Sequence, residues 1–183
     1  MLTTGNIIQN SLMRLGELGT YNDNGSAIYK RASDLLIKTL DSVAMDTSFL
    51  FNATTVNLTD TGHTSVLGEN RFNKPVDMLN YLRTSPHKGV RIEGEFFYTK
   101  SSELILQYCR KIKIAEYPPY MEEYLISSLC VEMARSHNTY VDRLGYFEQL
   151  KAKEKANVCA IEGFEPIIFM DESEGSDYRY GGN

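Results

Sequence analysis

Three histidines and three cysteines are the side chains best suited to chemistry, and their spacing keeps them apart. His63, His87 and His137 share no HExxH pattern, and Cys109, Cys130 and Cys159 form an odd set without a CxxC pair. A bound metal needs three or four such ligands converging, so neither a metal nor a cofactor is expected. Each histidine is expected to be solvated or singly hydrogen-bonded, and each thiol reduced and buried. The chain has no GxxxxGK[ST], GxGxxG or GxSxG, which leaves phosphate-cradling loops and a nucleophile elbow unsupported. Glu122 and Glu123 are adjacent at a helix start, where they diverge around the axis and favour its dipole. Arg110 should face away from Lys111 and Lys113 on a strand, and two lysines are too few for counterion-driven DNA binding. Lys151, Lys153 and Lys155 alternate with Glu148 and Glu154, the pattern of a solvated helix. No catalytic residue emerges, and the expected class is a non-enzyme.

The elements that would position these residues centre on the stretch Tyr117 to Ala160. Pro119 suits a helix's first turn, where a missing N–H costs nothing. Met121, Leu125, Leu129 and Met133 then recur at i+4, with Tyr124, Ile126, Cys130 and Ala134 widening the apolar face. Such a helix wants neighbours on two sides. Its successor has only the narrow stripe Leu144, Phe147 and Leu150, and should lie outside.

Helices are expected over about 4–16, 26–45, 119–138 and 141–158. Thr4 and Ser26 are the expected caps of the first two, Gly16 and Gly19 stop the first, and Tyr21 to Gly25 is turn chemistry. A sheet insertion is expected over about 49–114. Phe49 to Leu58 reads as a strand, Thr59 to Asn70 as a polar loop, and Val76 to Leu79 as a strand edge or one helical turn. Val90 to Glu93 and Glu95 to Thr99 form a hairpin at Gly94, followed by a strand from Leu104 to Ile114. The expected fold class is α+β and predominantly helical: a helical bundle with a small inserted antiparallel β-sheet and an extended C-terminal arm.

One domain is the prior for 183 residues that are 42% hydrophobic. No apolar run approaches a bilayer span and the N-terminus lacks signal-peptide regions, so a cytoplasmic start is expected. The net charge is −5, of which −3 falls from Asp171 onward, and the near-neutral remainder argues against a broad nucleic-acid-binding surface. The apolar run Phe164 to Met170 is either a final strand or an arm that packs outside the chain.

The order of local signals resembles the head-to-tail adaptor proteins of short-tailed bacteriophages, also called tail tubular protein A or gatekeeper-type connectors. The matching residues run from Ile7 to about Ala160. They are Leu15-Gly16-Glu17 at the end of the first helix, Phe49-Leu50-Phe51-Asn52 after the second, Pro75-Val76-Asp77-Met78-Leu79, Gly94-Glu95-Phe96-Phe97-Tyr98, and Tyr117-Pro118-Pro119-Tyr120 entering the long helix. The family often has Trp where Phe49 stands and Tyr-Asp where Tyr98-Thr99 stands.

The resemblance implies a structural virion protein, made in the host cytoplasm, with residues 1–162 as one adaptor domain and 163–183 as a C-terminal arm. Such proteins form a ring, commonly of twelve copies, between the portal protein and the downstream tail protein, with DNA passing through the channel without specific binding. Ile167, Ile168 and Phe169 are the expected docking anchors on the portal or a neighbour. Lys151, Glu154 and Lys155 are the expected subunit-subunit contacts. A small cytoplasmic DNA-binding regulator and an uncharacterised enzyme are the alternatives. The first would need a basic recognition helix, the second a cleft with convergent polar groups.

Overall fold

The first two helices end where local chemistry stops them. The computed structural model describes residues 1–17, 19 and 24–162. Helix α1 (Thr4–Leu15) is opened by Thr3, one residue before the expected cap, whose hydroxyl accepts from Asn6 N–H at 3.2 Å. Gly16 closes it in the left-handed region at φ 90°, where a side chain would be strained. Helix α2 (Ala27–Met45) is capped by Ser26, as its sequence position predicts. Of the expected Tyr21–Gly25 turn, residues 21–23 lie outside the described residues.

Helix α3 (Glu122–Ser136) follows a single 3-10 turn at Pro119–Met121. It is buried over nearly its whole circumference and packs against α1, α2 and α4 (Leu144–Ile161), where neighbours on two sides were expected. Helix α4 buries Phe147 and Val158, and most of its remaining surface faces solvent.

The expectation of a predominantly helical bundle with one small inserted sheet is corrected by the middle of the chain. Among the described residues, seven strands form two antiparallel sheets: β1 (Ala53–Leu58), β2 (Asp60–Thr64), β3 (Asn70–Asn73), β4 (Met78–Ser85), β5 (Arg91–Glu93), β6 (Phe96–Thr99) and β7 (Leu104–Arg110). The first sheet has the order β1-β7-β4 and the second β2-β3-β6-β5. Phe72, Phe97, Leu104, Leu106 and Tyr108, drawn from both sheets, form a second core separate from the helical one. The fold is therefore mixed, with helices and sheets each holding a core of their own. The expected C-terminal arm lies outside the described residues.

Several strand boundaries move for identifiable reasons. Phe49 closes one turn from Asp46 and a second runs from Leu50 to Ala53, because Phe49 is needed in the helical core, where its ring meets Tyr124 edge-on at 5.1 Å. The supposed polar loop Thr59–Asn70 contains β2, whose pairing is made by backbone groups and needs no apolar side chains. Met78 opens an eight-residue strand rather than an edge fragment, and its bulges between Met78 and Asn80 and between Tyr81 and Arg83 hide the two-residue period. The last strand stops at Arg110, four residues short of the expected end. The hairpin of β5 and β6 is where it was expected, turning at Gly94 with φ 55°.

Candidate interaction surfaces

The residues that carry the family resemblance sit at joints of this fold. Gly16 ends α1, and there Arg143 donates to the Leu15 carbonyl at 3.0 Å while the Tyr140 hydroxyl donates to Glu17. Asn52 is buried between the end of α2 and β7, its amide donating to the carbonyls of Ala44 at 2.7 Å and Arg110 at 3.1 Å. Asp77 accepts from the Tyr108 hydroxyl at 2.9 Å. The Tyr117 ring meets that of Phe51 at a tilt, 5.1 Å between centres, and its hydroxyl donates to the Leu40 carbonyl at 2.8 Å.

Burial and neighbouring carboxylates move the phenols at these joints further above their ordinary value of 10. Burial, then Asp77, pushes Tyr108 up to about 12, and burial, then Glu162, does the same for Tyr120. These hydroxyls are fixed donors, not titrating groups at neutral pH.

Reactive side chains remain scattered. His63 lies on β2, His87 follows β4, and the Nδ1 of His137 accepts from Thr139 N–H at 3.4 Å. Among the described residues, no three His, Cys, Asp or Glu side chains converge as a metal would require. Cys109 and Cys130 are buried, and burial pushes the Cys130 thiol up to about 12, far from a reactive thiolate.

The second sheet presents a more distinctive surface. On its outer face the Arg71 guanidinium lies 4.6 Å from the centre of the Phe96 ring, and Arg91 lies 4.5 Å from that of Tyr98. Arg91 also pairs with Glu69 at 2.9 Å and Glu93 at 2.6 Å, and its hydrogen bond holds the Glu69 carboxyl below the usual carboxylate range.

This ladder stiffens the base of the β2–β3 hairpin. At the tip, Ser65 N–H donates to the Glu69 carbonyl at 2.8 Å, and the Ser65 hydroxyl accepts from Leu67 and Glu69 N–H, both at 3.2 Å. The turn so held points Val66, fully exposed, and Leu67, 67% exposed, into solvent. Neither the tip nor the ladder was singled out from sequence. The available signal was two aliphatic residues between Ser65 and Gly68 in an otherwise polar stretch.

The residues expected at subunit contacts are all on α4 and half-buried. The Lys155 ammonium is 2.6 Å from Asp46 and 5.6 Å from the Phe49 ring centre, so it ties α4 to the end of α2 within one chain. Lys151 lies 6.0 Å from the Tyr124 ring centre, and Glu154 accepts from Asn157 at 2.9 Å. Ile167, Ile168 and Phe169 lie outside the described residues. No described helix is long and apolar enough to cross a membrane.

What the described residues define is four α-helices joined to two packed antiparallel sheets, with an exposed apolar hairpin tip on one of them. No family model matches the chain, and no curated protein matches it either.

Proposed function

We propose that this chain is a structural virion protein, a head-to-tail adaptor that assembles as a ring between the portal protein and the tail protein of a short-tailed bacteriophage. Support comes from the ordered motifs quoted above, whose Gly16, Asn52, Asp77 and Tyr117 each hold a joint of the fold. Copies related by rotation can close into a ring through heterologous contacts.

The observation that carries the proposal is the hairpin tip. A fully exposed valine beside a largely exposed leucine, on a turn fixed by its own hydrogen bonds, is a preorganised apolar contact for a partner. In this scheme the tip meets the downstream tail protein, while portal docking falls to Ile167, Ile168 and Phe169.

The test is mass photometry of the purified chain with portal rings, then with tail protein added. Wild type should join the portal as a stoichiometric ring and recruit the tail protein. The double substitution Val66→Ser and Leu67→Ser should form the same ring and fail to recruit it. A wild-type chain that ignores portal rings overturns the adaptor assignment, and a double variant that recruits tail protein normally overturns the role of the tip.

A further inference from the structure

The three-stranded sheet ends on one side in β1, and the outer edge of that strand is unlike the other sheet edges. Its six residues, Ala-Thr-Thr-Val-Asn-Leu, pair with β7 in unbroken register and include no charge, proline or glycine. The other edges carry features that stop strands from joining. Among the described residues, β4 has two bulges, β2 a register shift and Gly62, and β5 only three residues, with Arg91 and Glu93 at its ends.

The backbone groups on the β1 edge follow from the register. Arg110 N–H donates to the Asn52 carbonyl at 3.1 Å, which makes Asn52 and Arg110 a hydrogen-bonded pair. Bonded and non-bonded pairs alternate along an antiparallel ladder, so Thr54, Val56 and Leu58 turn their N–H and C=O groups toward β7. Thr55 and Asn57 turn theirs outward, and no described residue bonds to those groups. The side chains of Val56 and Leu58 pack against the second core and are only half-buried, so that core is open along this edge.

The end of α4 leads to the same place. The Glu162 carboxylate accepts from Leu50 N–H at 2.8 Å and from the Tyr120 hydroxyl at 2.9 Å. Ala53 N–H donates to the Leu50 carbonyl at 3.0 Å, so Glu162 is tied down one turn before β1 begins. The sequence then continues Gly163-Phe164-Glu165-Pro166-Ile167-Ile168-Phe169-Met170. Ile167 is five positions past Glu162, a reach of about 17 Å when extended, enough to run alongside β1. Ile167 to Phe169 are β-branched and aromatic, and Pro166 suits the first position of a strand.

We propose that the outer edge of β1 is the docking site for residues 166–170 of the same chain, which add a fourth strand to this sheet, parallel to β1. The outward N–H and C=O groups of Thr55 and Asn57 are its hydrogen-bond partners. Ile167 and Phe169 take one face of the added strand and Ile168 and Met170 the other, and whichever pair turns inward continues the second core past Val56 and Leu58. The strand stands without the adaptor assignment, but its consequence rests on it. The portal anchors Ile167, Ile168 and Phe169 are held on the sheet in the free chain and leave it when the portal takes them.

Amide hydrogen exchange read by NMR on the free full-length chain tests the strand. The Thr55 and Asn57 amides should exchange about a hundredfold more slowly than exposed amides. Replacing both Ile167→Pro and Ile168→Pro removes a ladder N–H in either register. It should return Thr55 and Asn57 to the exposed rate and leave the β7-facing amides of Thr54 and Val56 protected. Ser176→Pro, beyond the strand, should leave all four protected. The strand is overturned if Thr55 and Asn57 exchange freely in the wild type, or if the double proline variant still protects them. Protection lost on dilution would mean that another copy supplies the strand, and would overturn docking within one chain.

Thr55→Pro removes an outward N–H, spares the bonds to β7 and leaves the anchors unaltered. It should lower the portal concentration needed for half-maximal ring formation by about tenfold or more. An unchanged concentration overturns the holding of the anchors. A wild-type chain that protects Thr55 and Asn57 but ignores portal overturns the adaptor assignment alone. One that forms the ring while both amides exchange freely in the unbound chain overturns the strand alone.

Discussion

The Lys155 ammonium stands 2.6 Å from the Asp46 carboxylate, joining α4 to the residue that ends α2. Burial alone would raise the Asp46 carboxyl, but Lys155 and the Ser48 N–H outweigh it and hold it below its ordinary value of 3.8. A carboxyl depressed in the folded state stabilises above its unfolded value, and the contribution disappears as pH falls through the folded one. Asp46→Asn should therefore cost about 1 kcal/mol at pH 7, discounted for the partial exposure of both partners. Urea unfolding of both proteins between pH 7 and pH 3 should show the gap closing below about pH 4.

Gly16 holds φ 90° at the end of α1, and a Cβ built there would lie 3.3 Å from Arg143. Gly16→Ala must accept the left-handed backbone and push aside the guanidinium that donates to the Leu15 carbonyl. A loss of about 1 to 2 kcal/mol is expected, measurable as a lower urea midpoint with an unchanged slope. Gly145→Ala, on helix α4 where nothing described lies within 4 Å of an added Cβ, should cost nothing.

These helix ends were legible because they are local. A cap or a left-handed glycine is decided by residues three or four positions away, and Ser26 and Gly16 act as their neighbours in sequence require. The sheets were less so. Strand β2, Asp-Thr-Gly-His-Thr, is almost wholly exposed, and β3 buries only Phe72, so neither shows apolar alternation. Their partners are set by Phe72 meeting Phe97, 25 positions on, and by a second core that no single segment announces. The pairing of Gln107 with both Thr55 and Arg83 likewise exists only once three distant strands are in register, so spacing in the chain does not reveal it.

The three thiols should differ in reactivity by position. Cys130 is fully buried, with its thiol pushed up by burial, and Cys109 is buried and raised by burial and then by Asp46. Cys159 is half-buried on α4, its sulfur 3.9 Å from the Ser48 carbonyl. Iodoacetamide at pH 8 followed by mass spectrometry should give one adduct on the native chain, at Cys159, and three after denaturation. Early labelling of Cys130 would show that α3 opens far more readily than its burial implies.

Asn52 joins the helical layer to the first sheet. Both hydrogens of its amide are used, on Ala44 at the end of α2 and Arg110 at the end of β7, and its backbone carbonyl accepts from Arg110 N–H at 3.1 Å. Asn52→Ala leaves two buried carbonyls without donors and opens a small void, so it should cost about 2 to 4 kcal/mol. Asn52→Asp keeps the shape but replaces the donor with a carboxylate facing those carbonyls, and should be worse than alanine at neutral pH. Thermal unfolding ranks the three proteins. If aspartate were tolerated as well as asparagine, the link between layers would have to come from elsewhere, such as Lys111 with Asp41 or the Asn80 amide on the Met45 carbonyl.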